Sequence, residues 1–199
     1  MKHPIKYTVI CLTSILFASL ASAEVLKSDE HNYGITVPEG WTVDFQNSAG
    51  FTIHSPDKKK NVVLLIRKGA TKLDPASMSQ FEQGMSQAGA QTVLSTNLTL
   101  DGIPAHETVQ TIGTAAFATS VVILMSVADG KYYHLQGMHF GGDVTRDSDI
   151  QEAFASFHFL QPPKPSVSSR FGSPGMMLAV AGVIIVGLLF WVVWKRAAS

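Results

Sequence analysis

The densest group of residues that could do chemistry is the stretch HFGGDVTRDSD, residues 139–149. It combines an imidazole, a flexible Gly-Gly pair and three closely spaced carboxylates, and such groups can ligate a divalent cation. The alternative is structural: the last two carboxylates would favour the positive end of a following helix, and the glycines would form a turn. The candidate metal ligands are His139, Asp143, Asp147 and Asp149, and a divalent cation is the one possible cofactor.

The other histidines that follow the N-terminal segment do not show the spacing of a known metal site. His106-Glu107 lacks the second histidine of H-E-x-x-H, and on a strand these neighbours point to opposite faces. We therefore interpret His31, His54, His106, His134 and His158 as structural or surface histidines.

Motifs for a catalytic nucleophile are also missing from the sequence. It contains no G-x-S-x-G, P-loop or G-x-G-x-x-G pattern, and its single cysteine, Cys11, falls within the N-terminal apolar segment. No catalytic residue is predicted and we do not expect an enzyme. A hydrolase would require a pocket with convergent polar groups that the linear sequence does not reveal.

Apolar segments mark the two ends of the chain. Residues 1–23 have two lysines, an apolar run and an A-x-A site, which predicts a signal peptide and export. Residues 176–194 contain no charge and would extend about 28 Å as a helix, enough to span a bilayer, with Lys195 and Arg196 directly after. The sequence thus predicts a single-pass protein of the cell (inner or plasma) membrane. Its main domain would be extracytoplasmic, and periplasmic in a Gram-negative host, with a cytoplasmic tail at 195–199.

The net charge of zero hides an acidic exported domain. All 15 Asp and Glu residues lie between Glu24 and Glu152, a stretch with nine Lys and Arg, so its formal charge is −6. Nucleic acid is a poor partner for such a surface because phosphate contacts dominate that affinity. The run Lys58-Lys59-Lys60 is interpreted as a solvated loop between strands.

Alternating apolar residues predict most of the strands. Short strands are expected around Tyr33–Val37, Trp41–Phe45, Phe51–Ile53 and Asn61–Arg67, with a Pro38-Glu39-Gly40 turn between the first two. A four-stranded meander follows at 92–100, 103–112, 117–127 and 132–140, because Asp101-Gly102 and Asp129-Gly130 are strong hairpin signals.

Two helices are predicted by apolar periodicity. The first begins with Asp74 as N-cap and Pro75 in the first turn, and presents Met78, Phe81 and Met85 on one face. The second is expected from the capping-box spacing of Ser148 and Gln151, followed by apolar residues at helical intervals. Residues 162–175, rich in Pro and Ser, predict a semi-extended tether. The predicted domain therefore covers 24–161.

The element order, with YGITVPEGW at its start and IQEAFASFHF at its end, resembles the PsbP-like family over about Leu26–Leu160. The resemblance implies an α+β fold in which helices sandwich an antiparallel sheet, and it implies binding or accessory roles. With the apolar C-terminus, the predicted fold class is this α/β/α sandwich plus one transmembrane helix.

We therefore expect a membrane-anchored extracytoplasmic binding or accessory module whose partner is an envelope or membrane protein. The alternative is a sensor domain for a small ligand or divalent metal, and a hydrolase is a third class.

Overall fold

The computed structural model describes residues 24–45, 50–69, 72–113 and 118–164. Nine strands and two helices follow in the order β1 (Glu24–Ser28), β2 (Tyr33–Val37), β3 (Thr42–Phe45), β4 (Gly50–His54), β5 (Lys60–Lys68), α1 (Pro75–Gln87), β6 (Ala90–Leu100), β7 (Ile103–Ile112), β8 (Thr119–Ala128), β9 (Lys131–Phe140) and α2 (Ser148–Ser156), with a 3-10 turn at Val144–Arg146 before α2.

Seven strands form one sheet in the order β3-β4-β5-β9-β8-β7-β6, with every neighbouring pair antiparallel. The predicted hairpin turns are confirmed: Asp101 and Gly102 have φ of 48° and 80°, and Asp129 and Gly130 have φ of 52° and 70°. Positive φ at both central residues suits two-residue hairpins, because it matches the twist of the flanking strands. The meander β6–β9 is thus built from local turn chemistry.

Strands β1 and β2 form a separate two-stranded sheet, which the sequence did not predict. Strand β1 was not predicted at all, and β2 pairs with it rather than with β3. After α2 the chain returns to this hairpin, where the backbone of His158 exchanges two hydrogen bonds with Gly34, at 2.9 and 3.0 Å. The Pro38-Glu39-Gly40 turn therefore leads the chain from the small sheet into the large one.

The two helices lie on opposite faces of the large sheet. Met78, Phe81 and Met85 of α1 pack with Val121 and Ile123 of β8. Val122 and Leu124 of β8 lie on the opposite face of the sheet. There they form a second core with Ile150 and Ala153 of α2 and with the buried side chains of β1 and β2. Successive side chains of a strand point to opposite faces, and both faces of β8 are covered, which explains why all its described residues are buried.

Aspartates cap both helices. The side chain of Asp74 accepts a hydrogen bond from the Ser77 backbone N–H, as predicted. The predicted cap of α2 is wrong by one residue: Asp147, not Ser148, is the N-cap and accepts from the Ile150 N–H at 3.1 Å. Ser148 is the first helical residue, because Asp147 before it has an extended backbone and caps the helix through the Ile150 N–H.

The predicted fold class, with its C-terminal transmembrane helix, requires a correction. The described residues form mainly a seven-stranded antiparallel sheet with two helices, and no helix within these ranges is long and apolar enough to cross a membrane. The segments predicted as signal peptide, 1–23, and as membrane span, 176–194, lie outside the described residues, as do most of the predicted tether and the predicted start of β8 at Phe117.

Candidate binding cleft

A cleft of about 290 Å³ lies between the first turns of α1 and the β6–β7 hairpin. Leu73, Pro75 and Met78 line it from the helix side, and Pro104 and Ala105 line it from the sheet side. Small-molecule sites are mostly apolar with a few polar groups, and this cleft is at the small end of their size range.

Four polar side chains converge at this cleft. His106 Nδ1 lies 2.9 Å from Asn97 Oδ1, and His106 Nε2 lies 3.3 Å from Ser95 Oγ and 3.5 Å from Glu82 Oε1. The Ser95 hydroxyl donates to Glu82 Oε1 at 2.8 Å. Because an amide oxygen can only accept, the Asn97 contact places an N–H on Nδ1 of His106. The spacing of these four residues in the sequence did not predict this cluster.

The cluster contains the residue types of a nucleophile, a base and an orienting amide. The single hydroxyl proton of Ser95 is directed to Glu82, at a shorter distance than to the imidazole. A serine nucleophile transfers its hydroxyl proton to a base, and the acceptor of that proton here is the Glu82 carboxylate. The four groups together present hydrogen-bond donors and acceptors at the cleft.

The polar row continues from the cleft into the interior on the α1 side of the sheet. His106, Thr108 and Gln110 alternate along β7 opposite Met125, Ile123 and Val121 of β8, which pack with α1. His106 is 8% exposed, and Thr108 and Gln110 are fully buried. The Thr108 hydroxyl and both ends of the Gln110 amide have no hydrogen-bond partner among the described residues.

A second buried polar pair lies on β9 on the same side of the sheet. His134 is fully buried, and its Nε2 lies 3.2 Å from Gln136 Oε1. Burial lowers the pKa of His134 to about 4, although the hydrogen bond to Gln136 opposes the shift. Desolvation disfavours the charged imidazolium, so His134 is neutral near pH 7.

Strand β6 is one outer edge of the large sheet. Its sequence, AQTVLSTNLTL, contains no charged residue and no proline, and most of its side chains are exposed. The pairing with β7 is irregular between Thr92 and Leu94, and Val93 and Leu94 are 68% and 46% exposed. From Ser95 to Leu100 the pairing is regular. The opposite edge, β3, has only four residues.

Three of the four predicted metal ligands lie close to Lys60, which was predicted to belong to a solvated loop but is the first residue of β5. Lys60 Nζ lies 3.3 Å from Asp147 Oδ2 and forms a second ion pair with Asp149. His139 Nδ1 lies 3.1 Å from Asp147 Oδ2. Burial alone would lower the Lys60 pKa, but the two carboxylates more than offset it, and the pKa is raised.

The fourth predicted ligand, Asp143, has a different role. It is the N-cap of the 3-10 turn, where its Oδ1 accepts from the backbone N–H and the hydroxyl of Thr145, at 3.0 and 2.7 Å. These hydrogen bonds lower the pKa of Asp143. Among the described residues, no group of three or more His, Cys, Asp or Glu side chains is arranged to hold a metal ion.

One signal in the sequence could have located part of the cleft. The Asp101-Gly102 hairpin fixes the register of β6 against β7, and counting back from it places Asn97 opposite His106 and Ser95 opposite Thr108. Glu82 could not be placed in this way, because its position depends on how α1 packs on the sheet.

Comparisons with known proteins identify the fold. No protein-family model and no curated protein sequence matches this chain. The solution structure of cyanobacterial PsbP (CyanoP) from Synechocystis sp. PCC 6803 matches with a TM-score of 0.53 and 14% identity, covering 74% of this chain and 98% of that chain. LpqN, involved in cell envelope biogenesis of Mycobacterium tuberculosis, matches with a TM-score of 0.46 and 15% identity, over 69% and 90% of the two chains. The predicted resemblance is confirmed at the level of the fold, and the chain has a PsbP-like fold.

Proposed function

We propose that this chain is an extracytoplasmic accessory module that binds a protein of the cell envelope and has no enzymatic activity of its own. Its edge strand β6 would pair with an extended segment of that protein. The observation that supports the proposal most is the length and composition of this edge: it has 11 residues without charge or proline, and two exposed apolar side chains at its one irregularity.

Protein sheets normally protect their edges. Lysines, prolines, bulges and short strands prevent unwanted pairing, whereas a long edge without them is a template for another strand. Here the irregularity at Thr92–Leu94 interrupts only the first part of β6, and on its outer side the regular part from Ser95 to Leu100 pairs with no other strand of the described residues. Adding a strand to such an edge is a known mode of peptide recognition.

The partner is expected to be a protein with an extended segment of neutral or positive charge. The exported domain has a formal charge of −6, so a strongly acidic segment would be repelled. Asn97 and Ser95 lie beside the cleft, so a side chain of the paired segment could enter it. This geometry supports a protein-binding role and gives no support to nucleic acid as a partner.

The experiment is affinity capture of the full chain from membrane extract with two matched double variants. V93K/L94K adds two lysines to the β6 edge, and F45K/V25K adds two lysines at sites of similar exposure elsewhere (70% and 46%). We expect V93K/L94K to lose at least about tenfold of the captured partner, as for a disrupted interface core. The control should keep it. Equal loss or equal retention in the two variants would contradict pairing through β6.

The second candidate is a sensor of divalent metal, because Asp147 and Asp149 share Lys60 and His139 Nδ1 lies 3.1 Å from Asp147 Oδ2, although in the described structure these side chains are not arranged to hold a metal ion. Lys60 already forms ion pairs with both carboxylates, so a cation would have to displace its ammonium group. If the site is a metal site, Lys60→Ala should increase calcium, zinc or manganese binding in calorimetry, and Asp149→Asn should remove it. Absence of heat with both the wild-type protein and Lys60→Ala would exclude this candidate.

A further inference from the structure

Two polar side chains are buried beneath α1, at positions where apolar side chains would be sufficient for packing. Thr108 and Gln110 are fully buried, and their hydroxyl and amide have no hydrogen-bond partner among the described residues. Such groups lose their hydration without compensation, which destabilises the folded state. Val and Leu would fill the same space without that cost.

A nearby glutamine shows the contrast. Gln136 lies on β9, is also buried, and its Oε1 accepts a hydrogen bond from His134 Nε2 at 3.2 Å. Its amide therefore has a structural partner. The amide of Gln110 is equally buried and offers both a donor and an acceptor to a molecule that enters from outside.

The cleft borders this row at Ser95 and His106, whereas Thr108 and Gln110 lie beyond its lining, in the interior. Ser95 lines the cleft and is directly opposite Thr108, so the two side chains are neighbours on one face of the sheet. Gln110 follows two positions further along β7 on the same face. The covering face of α1 consists of Met78, Phe81 and Met85, and methionine side chains change rotamer easily to accommodate a neighbour.

We propose that the cleft and the row Thr108–Gln110 form one binding site for a small uncharged ligand that carries an amide or adjacent hydroxyl groups. Glu82, Ser95 and Asn97 would contact it at the mouth, and Gln110 would bind its innermost polar group. This site does not depend on strand pairing through β6.

The chemistry of the site selects an uncharged ligand. Its inner groups are neutral, and transferring a charge to a buried position without a counter-charge is far more costly than transferring an amide. The cleft volume of about 290 Å³ is sufficient for a molecule of monosaccharide or capped amino-acid size. An anion would also be repelled by Glu82 and the acidic domain.

The test is ligand-observed saturation-transfer NMR on the full chain with defined probes. N-acetylglucosamine and N-acetylalanine amide are the neutral probes, and glucosamine and galacturonate are the charged comparisons. We expect at least one neutral probe to bind in the range of about 1 mM or tighter and Gln110→Leu to weaken it about tenfold, the loss of one or two hydrogen bonds.

Thermal unfolding without ligand separates a binding role from a structural one. Gln110→Leu and Thr108→Val should leave the Tm unchanged or raise it, whereas Gln136→Leu should lower it. The proposal is overturned if neither neutral probe binds, if charged probes bind equally well, if Gln110→Leu leaves the affinity unchanged, or if Gln110→Leu lowers the Tm as much as Gln136→Leu.

Discussion

Acid should destabilise this fold through His134. In the folded protein this imidazole is fully buried and its pKa is lowered to about 4, while a histidine in the unfolded chain has a pKa of about 6.5. Between these values the unfolded state binds one proton that the folded state does not bind. Above pH 6.5, His134 therefore does not lower the unfolding free energy. As the pH falls from 6.5 toward 4, protonation of this histidine in the unfolded state lowers the unfolding free energy progressively.

The size of the effect follows from the difference in pKa. Each pH unit below 6.5 costs about 1.4 kcal/mol of unfolding free energy, so the loss at pH 5 is about 2 kcal/mol. The assay is urea unfolding at pH 7, 6 and 5, each monitored by tryptophan fluorescence, for the wild-type protein and His134→Gln.

The variant removes the titrating group and leaves the carboxylates that also respond to acid. The wild-type protein should lose about 2 kcal/mol more than His134→Gln between pH 7 and pH 5. Parallel pH dependence in the two proteins would refute the reasoning, whatever the absolute stability of the variant.

Three further predictions follow from packing and capping. Gly137→Ala should lower the unfolding free energy by about 1–3 kcal/mol in chemical unfolding, because an added Cβ would lie 2.6 Å from Ile150 Cγ2. Gly84→Ala is the control: its added Cβ meets open space, so it should stabilise α1 by up to about 1 kcal/mol. Equal effects of the two substitutions would contradict the close approach of α2 to the sheet. Asp147→Ala should cost about 1 kcal/mol more than Asp147→Asn, because asparagine retains the helix cap and only the charge is lost; no difference between them would contradict the cap assignment. The unfolding free energy should also fall as the pH rises above about 10.5, because the Lys60 pKa is raised in the folded state, and Lys60→Met should remove that part of the dependence.

Local chemistry made much of the fold predictable. The Asp-Gly turns specify their hairpins through backbone conformation, and Asp74-Pro75 specifies the start of α1, so these elements were placed correctly. Each signal depends on residues next to one another in the chain.

Features that depend on long-range packing were not predictable. Nothing near Glu24–Ser28 indicates that this segment pairs with β2, and nothing near Lys60 indicates that it meets Asp147, which is 87 residues away. The cleft has the same character: the hairpin register gives Asn97 opposite His106, but the placement of Glu82 requires the helix to be packed on the sheet.

Site-specific photo-crosslinking in living cells tests the central claim, that β6 is the binding edge, most directly. A photoreactive amino acid replaces Val93 on β6 in one strain and Phe45 on β3 in another, at positions with similar exposure of 68% and 70%. The account predicts one discrete crosslinked product with an envelope protein from position 93 and none from position 45. Products of the same mass from both positions, or none from position 93, would contradict it.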